Sequence, residues 1–308
     1  MRLLLSAVLL FTGAMSSFAS VDQSLLSLAP PDAKLLTGID ITRVEASPFG
    51  QYLLRRVDTE DEHFREFTQA TGFDPRRDLE FLLFAGFPPP EGRFAVLARG
   101  NFDAVRIQNA AIAHGMSVES INGVDVLANK KGHPINIAFL DGGIAAMADP
   151  ATMHQILAQR SNPAALDSQL SDRVNKAGTD NDLWFVSALP LRPIVNGTAA
   201  PVPDSLAKSP VLQSIVESSG AIQFGDTSKF SFQAVTRSPQ DAVALGDVAR
   251  FGVNLVQTQA GNDPRAAIAA AALQSMQIET SGPEVRLSVS MTEKQLEQLS
   301  APAPKRVR

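Results

Sequence analysis

The side chains best suited to proton transfer or metal binding near neutral pH are the four histidines, His63, His114, His133 and His154. They are scattered, and none belongs to a His-x-x-x-His or His-Glu-x-x-His pair, so a metal site would have to be assembled from distant segments. The densest local set of oxygen ligands is Asp58-Thr59-Glu60-Asp61-Glu62-His63, chemistry that suits a hard cation. The simpler reading is the solvated start of a helix before Phe64 and Phe67, its carboxylates facing the positive end of the dipole. Arg76-Arg77, after Asp74-Pro75, has the donors to clamp an anion, but also reads as a helix start capped by Asp74. Gly142-Gly143 between two apolar runs is a turn, and Asn196-Gly197-Thr198 has the glycosylation spelling but also reads as a turn. The chain has no Gly-x-Ser-x-Gly elbow, Ser-x-x-Lys nucleophile or Gly-x-x-x-x-Gly-Lys phosphate loop. With no Cys, disulfides, thiolate nucleophiles, iron-sulfur clusters and the acylated Cys of a lipoprotein are excluded. The expectation is therefore no catalytic, cofactor-binding or metal-ligating residue, no cofactor, and no enzymatic activity.

Recognition chemistry is narrowed in the same way. Lys and Arg number 27 against 32 Asp and Glu, a net charge of -5, which gives no electrostatic reason for nucleic-acid binding or attraction to anionic lipid. There are 17 Phe but one Trp and one Tyr, so the amphipathic rings that stack on sugars and bases are nearly missing. Phe81, Phe84, Phe94, Phe224, Phe230 and Phe232 fall on apolar runs where burial is the default. The loop Phe87-Pro88-Pro89-Pro90 is the one segment that reads as a stiff contact for a protein partner. The competing reading is a hairpin crossover packed by its own Phe87.

The elements that must position these residues recur. Ser47-Pro48 and Ser209-Pro210 each open a helix after a strand-like run, Lys34 to Ile41 in one case and Leu183 to Leu189 in the other. A hairpin follows each: Leu79 to Phe84 with Arg93 to Leu97, and Gly220 to Phe224 with Lys229 to Val235. A helix then begins at Asn101 in the first and at Ser238 in the second. Next come two hairpins that correspond, Val118 to Leu127 through Asn122-Gly123 and Met276 to Val289 through Ser281-Gly282. The first series adds a further hairpin, Ile135 to Ala148. Asp149-Pro150 and Thr292 open the closing helices. This order predicts an α+β protein made of two related copies, each an antiparallel sheet with helices on one face, in a ferredoxin-like or split β-α-β variant.

Met1-Arg2, the apolar run Leu3 to Met15 and the small residues Ser17 and Ala19 read as a secretory signal cleaved after Ala19, with retention as an anchor the alternative. No second long apolar run occurs, so no stable membrane insertion is expected once the signal is removed. The expected organisation is a signal at 1–19, a first copy at 20–160, a linker at 161–181, a second copy at 182–300 and an extended tail at 301–308.

The export signal, the phrase Leu28-Ala29-Pro30-Pro31-Asp32-Ala33 and the repeated strand-helix pattern resemble secreted bacterial protein families of unknown function with a duplicated α+β domain. That resemblance implies export and carries over no functional residue. Two functions follow as expectations: a periplasmic or extracellular, non-catalytic interaction or scaffolding module with a protein partner, or a module holding a small molecule or lipid in a groove between the copies.

Overall fold

The computed structural model describes residues 21–56, 61–88, 93–129, 134–141, 143–189, 209–261 and 264–301. Residues 1–19 with Ala19, the triplet Asp58-Thr59-Glu60, Pro89, Pro90, His133, Gly142, Asn196-Gly197-Thr198 and the tail after Ala301 lie outside them.

In chain order the elements are α1 (Gln23–Leu28), β1 (Leu35–Asp40), α2 (Ile41–Ala46), α3 (Pro48–Leu54), α4 (Glu62–Thr71), α5 (Pro75–Asp78), β2 (Leu79–Gly86) and β3 (Phe94–Gly100). Then come α6 (Ala104–Ala113), β4 (Ser117–Ile121), β5 (Val124–Asn129), β6 (Ile135–Asp141), β7 (Ile144–Ala148), α7 (Pro150–Ser161) and α8 (Ser168–Gly178). The second part holds β8 (Leu183–Ser187), α9 (Pro210–Gln213), β9 (Ile215–Gln223), β10 (Thr227–Thr236), α10 (Pro239–Gln259), α11 (Pro264–Leu273), β11 (Gln277–Ser281), β12 (Glu284–Thr292) and α12 (Glu293–Ser300). Local chemistry sets the helix starts: Ser47, Asp149, Ser209 and Ser238 each accept a backbone N–H of the first turn, followed by Pro at N1. Thr292 and Gln295 form a reciprocal capping box. The helix expected from Asn101 instead begins at Ala104, because the Asp103 carboxylate accepts the Arg106 N–H.

The fold is α+β with an antiparallel sheet, as the pattern predicts, but the strands of the described residues form one sheet of twelve in the order β11-β12-β10-β9-β8-β1-β2-β3-β7-β6-β5-β4. Where two separate sheets were expected, β1 and β8 pair antiparallel through Leu35↔Ser187 to Ile39↔Leu183. That pairing leaves no open edge between the halves, and open edges invite mispairing. The two hairpins read as counterparts, β4-β5 and β11-β12, sit differently in the sheet. The strand beside β3 is β7 and the strand beside β10 is β12, and each leads into a closing helix, α7 or α12.

Helices cover both faces, a different layer on each. On one face Leu36, Leu83, Leu97, Ala146, Trp184 and Val186 pack with Leu25 of α1, Met153 and Ile156 of α7, and Leu170 and Val174 of α8 in one buried cluster. The segment read as a linker thus contributes a helix to the main core. On the opposite face of the second half, Ala234 and Val285 pack with Ala242 and Leu245 of α10 in a smaller cluster. Trp184, 1% exposed, lies across Gly38, where an added Cβ would stand 2.3 Å from the indole. Among the described residues no helix is long and apolar enough to cross a membrane.

Candidate binding groove

Strand periodicity builds a concavity on one face of the second half. On β10, β12 and β11 the residues Phe230, Phe232, Val285, Leu287 and Ile278 point to one face, and the residues between them are polar. The register aligns those polar residues across strands: Gln277↔Ser288↔Ser231 form one row, which ends on Ala221 of β9, and Glu279↔Arg286↔Gln233↔Ser219 the next. A row of four strands spans roughly 15 Å at ~4.8 Å per strand. Arg173, Lys176 and Ala177 of α8, with Asn181 beyond it, complete the lining of a groove of about 470 Å³. Asp167 caps α8 by accepting the Leu170 N–H, and Leu170 and Val174 anchor the helix in the core.

The groove balances its charge. Arg173 pairs with Glu217, and the Arg286 guanidinium is 2.7 Å from the Glu284 carboxylate, while Lys176 and Glu279 add one charge of each sign. Three serine hydroxyls, Ser219, Ser231 and Ser288, stand among these ions. Such a surface offers charged donors and acceptors in equal number beside apolar area from Ala177, Ala221, Phe232, Val235 and Leu287, so it suits a ligand or protein surface that presents polar groups with some apolar contact. The alternation along each strand is local. That four polar faces align, and that α8 closes the groove, follows only from the register and the docking of the linker segment.

The opposite face carries an apolar band. The register runs Ile278↔Leu287↔Phe232↔Gly220↔Phe185↔Thr37↔Phe84↔Val96↔Met147↔Ile137↔Leu127↔Val118 across all twelve strands. In the middle of this band, where the two halves meet, Phe84 is 36% exposed and Phe185, Val96 and Met147 are half-buried.

A buried carboxylate ties the halves together. Asp182 precedes β8; its Oδ2 accepts the Phe224 N–H at 2.6 Å and its Oδ1 is 2.8 Å from Nε of Arg43 on α2. Burial raises its pKa above the ordinary aspartate value, against the opposing pull of the Phe224 N–H and Arg43.

The residues singled out in the sequence do not converge on either surface. His63 and His154 are exposed on α4 and α7, and His114 is exposed at the end of α6. Asp61 caps α4 through the Phe64 N–H, and the side chain of His63 is 93% exposed, so the described part of the acidic run is a solvated helix start. Arg76 makes a bidentate contact with Asp74 (2.9 and 2.6 Å) and Arg77 with Asp78 (2.8 and 2.7 Å). Both guanidiniums are committed to carboxylates, which corrects the anion-clamp reading. The loop reading divides: Phe87 is 8% exposed in the main core with the Arg93 guanidinium 4.1 Å over its ring, so the ring is withheld from a partner, while Pro88 is exposed. Pro89 and Pro90 lie outside the described residues. Among the described residues no three His, Asp or Glu side chains gather as a metal-binding group.

No family model and no curated protein matches the chain. Among solved structures it is similar to crystal form IV of TP0453, at 9% identity and a TM-score of 0.52, over 89% of this chain and 95% of that one. Crystal form I of the same protein gives 9% identity and a TM-score of 0.48, over 91% and 97%. At this identity the likeness to form IV concerns the fold alone.

Proposed function

We propose that the protein is an exported, non-catalytic binding module that works in the periplasm or outside the cell as an interaction or scaffolding component, built from two copies of one α+β unit. The apolar start of the chain supports export, and the similar strand sequences outward from the β1-β8 pair, β1-β2-β3 and β8-β9-β10, support duplication. The resemblance to secreted bacterial families of unknown function is compatible with both. The observation that carries the binding role is the charge-balanced groove of about 470 Å³ over β9, β10, β12 and β11, with its partner a protein presenting a polar surface. The test is affinity capture from the native envelope with the wild-type chain and with Ser231→Trp. Ser231 is exposed on the groove floor, so the indole fills the groove without entering a core. A partner retained by the wild type and lost by Ser231→Trp is expected; equal recovery by both would overturn the assignment.

The apolar band favours one second reading, a small apolar molecule or lipid held where the halves meet, around the partly exposed Phe84. Extraction of the purified protein followed by mass spectrometry distinguishes the two. A stoichiometric apolar ligand displaced by Phe84→Glu, with no effect of Ser231→Trp, would favour the second.

A further inference from the structure

The sheet ends in two edges that differ in cover. At one end α10 packs across β11, with the Thr280 methyl 3.1 Å from where a Cβ on Gly246 would stand. At the other end the neighbouring helix, α6, packs on β5, one strand in from the edge, and β4 is left with Ser117, Val118 and Ser120 exposed. Val118 is 44% exposed, and the same end carries Val105 at 69% and Ile112 at 47%, both on α6. Unpaired strand edges bind other strands unless blunted; among the described residues no strand pairs with the outer side of β4, which has no Lys, Pro or bulge and a single charge, Glu119.

The hairpin fixes which backbone groups of β4 are open. Asn122 and Gly123, at φ 52° and 77°, form a two-residue turn of the primed kind, so the flanking pair Ile121↔Val124 exchanges both ladder hydrogen bonds. Ser117, Glu119 and Ile121 therefore bond to β5, and Val118 and Ser120 direct their N–H and C=O groups outward.

We propose that β4 pairs antiparallel with β4 of a second copy of this chain about a twofold axis at Val118. A twofold axis perpendicular to the sheet keeps each face on its own side. Val118 then meets Val118 of the other copy, Ser117 lies opposite Glu119, and Met116 opposite Ser120. The axis at Val118 joins the apolar bands of the two sheets end to end, with Val118 packed against its own counterpart. It also brings the exposed Val105 and Ile112 of each α6, about 10 Å from the edge at ~4.8 Å per strand, near the interface.

The absence of Cys makes the register testable in the full chain. Across the axis the two Val118 Cα atoms are about 5.5 Å apart, within disulfide range, whereas Ser120 is displaced from its own counterpart by about 13 Å. Mild oxidation should cross-link Val118→Cys into a dimer and leave Ser120→Cys monomeric on a non-reducing gel. Sedimentation velocity should show a dimer for the wild type and a monomer for Val118→Pro. That proline removes only an outward N–H, so the circular dichroism should be unchanged, and Thr280→Pro on the opposite edge should remain dimeric. A wild type that stays monomeric through a concentration series, a dimer that survives Val118→Pro, or cross-linking of Ser120→Cys equal to that of Val118→Cys would overturn the proposal.

Discussion

Asp182 shows how one carboxylate can couple the halves of the sheet and bias stability with pH. It accepts the Phe224 N–H from the end of β9 and forms an ion pair with the Arg43 guanidinium from α2, and its backbone carbonyl accepts the Asp40 N–H at the end of β1. Because burial raises its folded pKa above the unfolded value, the folded state holds the proton longer. The contribution of Asp182 to stability is therefore present below the unfolded pKa and is lost as the pH rises through the raised one. Urea unfolding across that window should show the wild type losing stability with rising pH relative to Asp182→Asn, and parallel curves would refute the assignment. Asp182→Ala leaves a buried N–H without an acceptor and should cost about 1–3 kcal/mol at any pH. Asp74 and Asp78 act in the opposite sense. Their hydrogen bonds from Arg76 and Arg77 lower both pKa values, so their contribution is present above the unfolded value and is lost as the pH falls through the lowered ones.

At the scale of elements, the central strands depend on a missing side chain. Gly38 on β1 is opposite Trp184 on β8, and the indole occupies the space a Cβ would need. Gly38→Ala should force the indole out of position at a cost of about 1–3 kcal/mol. Trp184 is the only Trp, so its emission reports the change directly: a red shift in the folded variant is expected, and an unshifted spectrum with unchanged stability would show that the strands absorb the methyl. This contact was not legible in the sequence. The strand-like run Leu183 to Leu189 was legible, but the pairing of β1 with β8 joins residues about 145 positions apart that carry no local signal. Helix starts were legible because their causes are local, as Ser209-Pro210 and Asp149-Pro150 show. Of the groove only the strands were legible: Ser231, Gln233, Arg286 and Ser288 fall on the predicted hairpins, whereas their alignment and the wall that Arg173 and Lys176 supply required the register and the docking of α8 on β8 and β9.

For the whole molecule, one sheet does not imply one uniform stability. The main cluster joins α1, α7 and α8 to strands on both sides of the β1-β8 seam, with Trp184, Val186 and Ala221 from the second half included. The smaller cluster rests on five buried residues, Ile215, Ala234, Ala242, Leu245 and Val285. The ladders of β10 with β9 and β12 are long, but ladder hydrogen bonds resist opening only as far as the apolar packing behind them does. The outer strands of the second half should therefore open below the global unfolding free energy while the central strands stay closed. Amide exchange followed by mass spectrometry should find residues 227–236 and 284–292 exchanging before 35–40, 79–86 and 183–187, and uniform protection would instead mean a single cooperative unit. The groove lies on these less protected strands, so occupancy is linked to their closure by mass action. A partner bound there should slow exchange in β10 and β12 more than in β1 and β2. A partner that protected β1 and β2 first would place its site on the apolar band around Phe84.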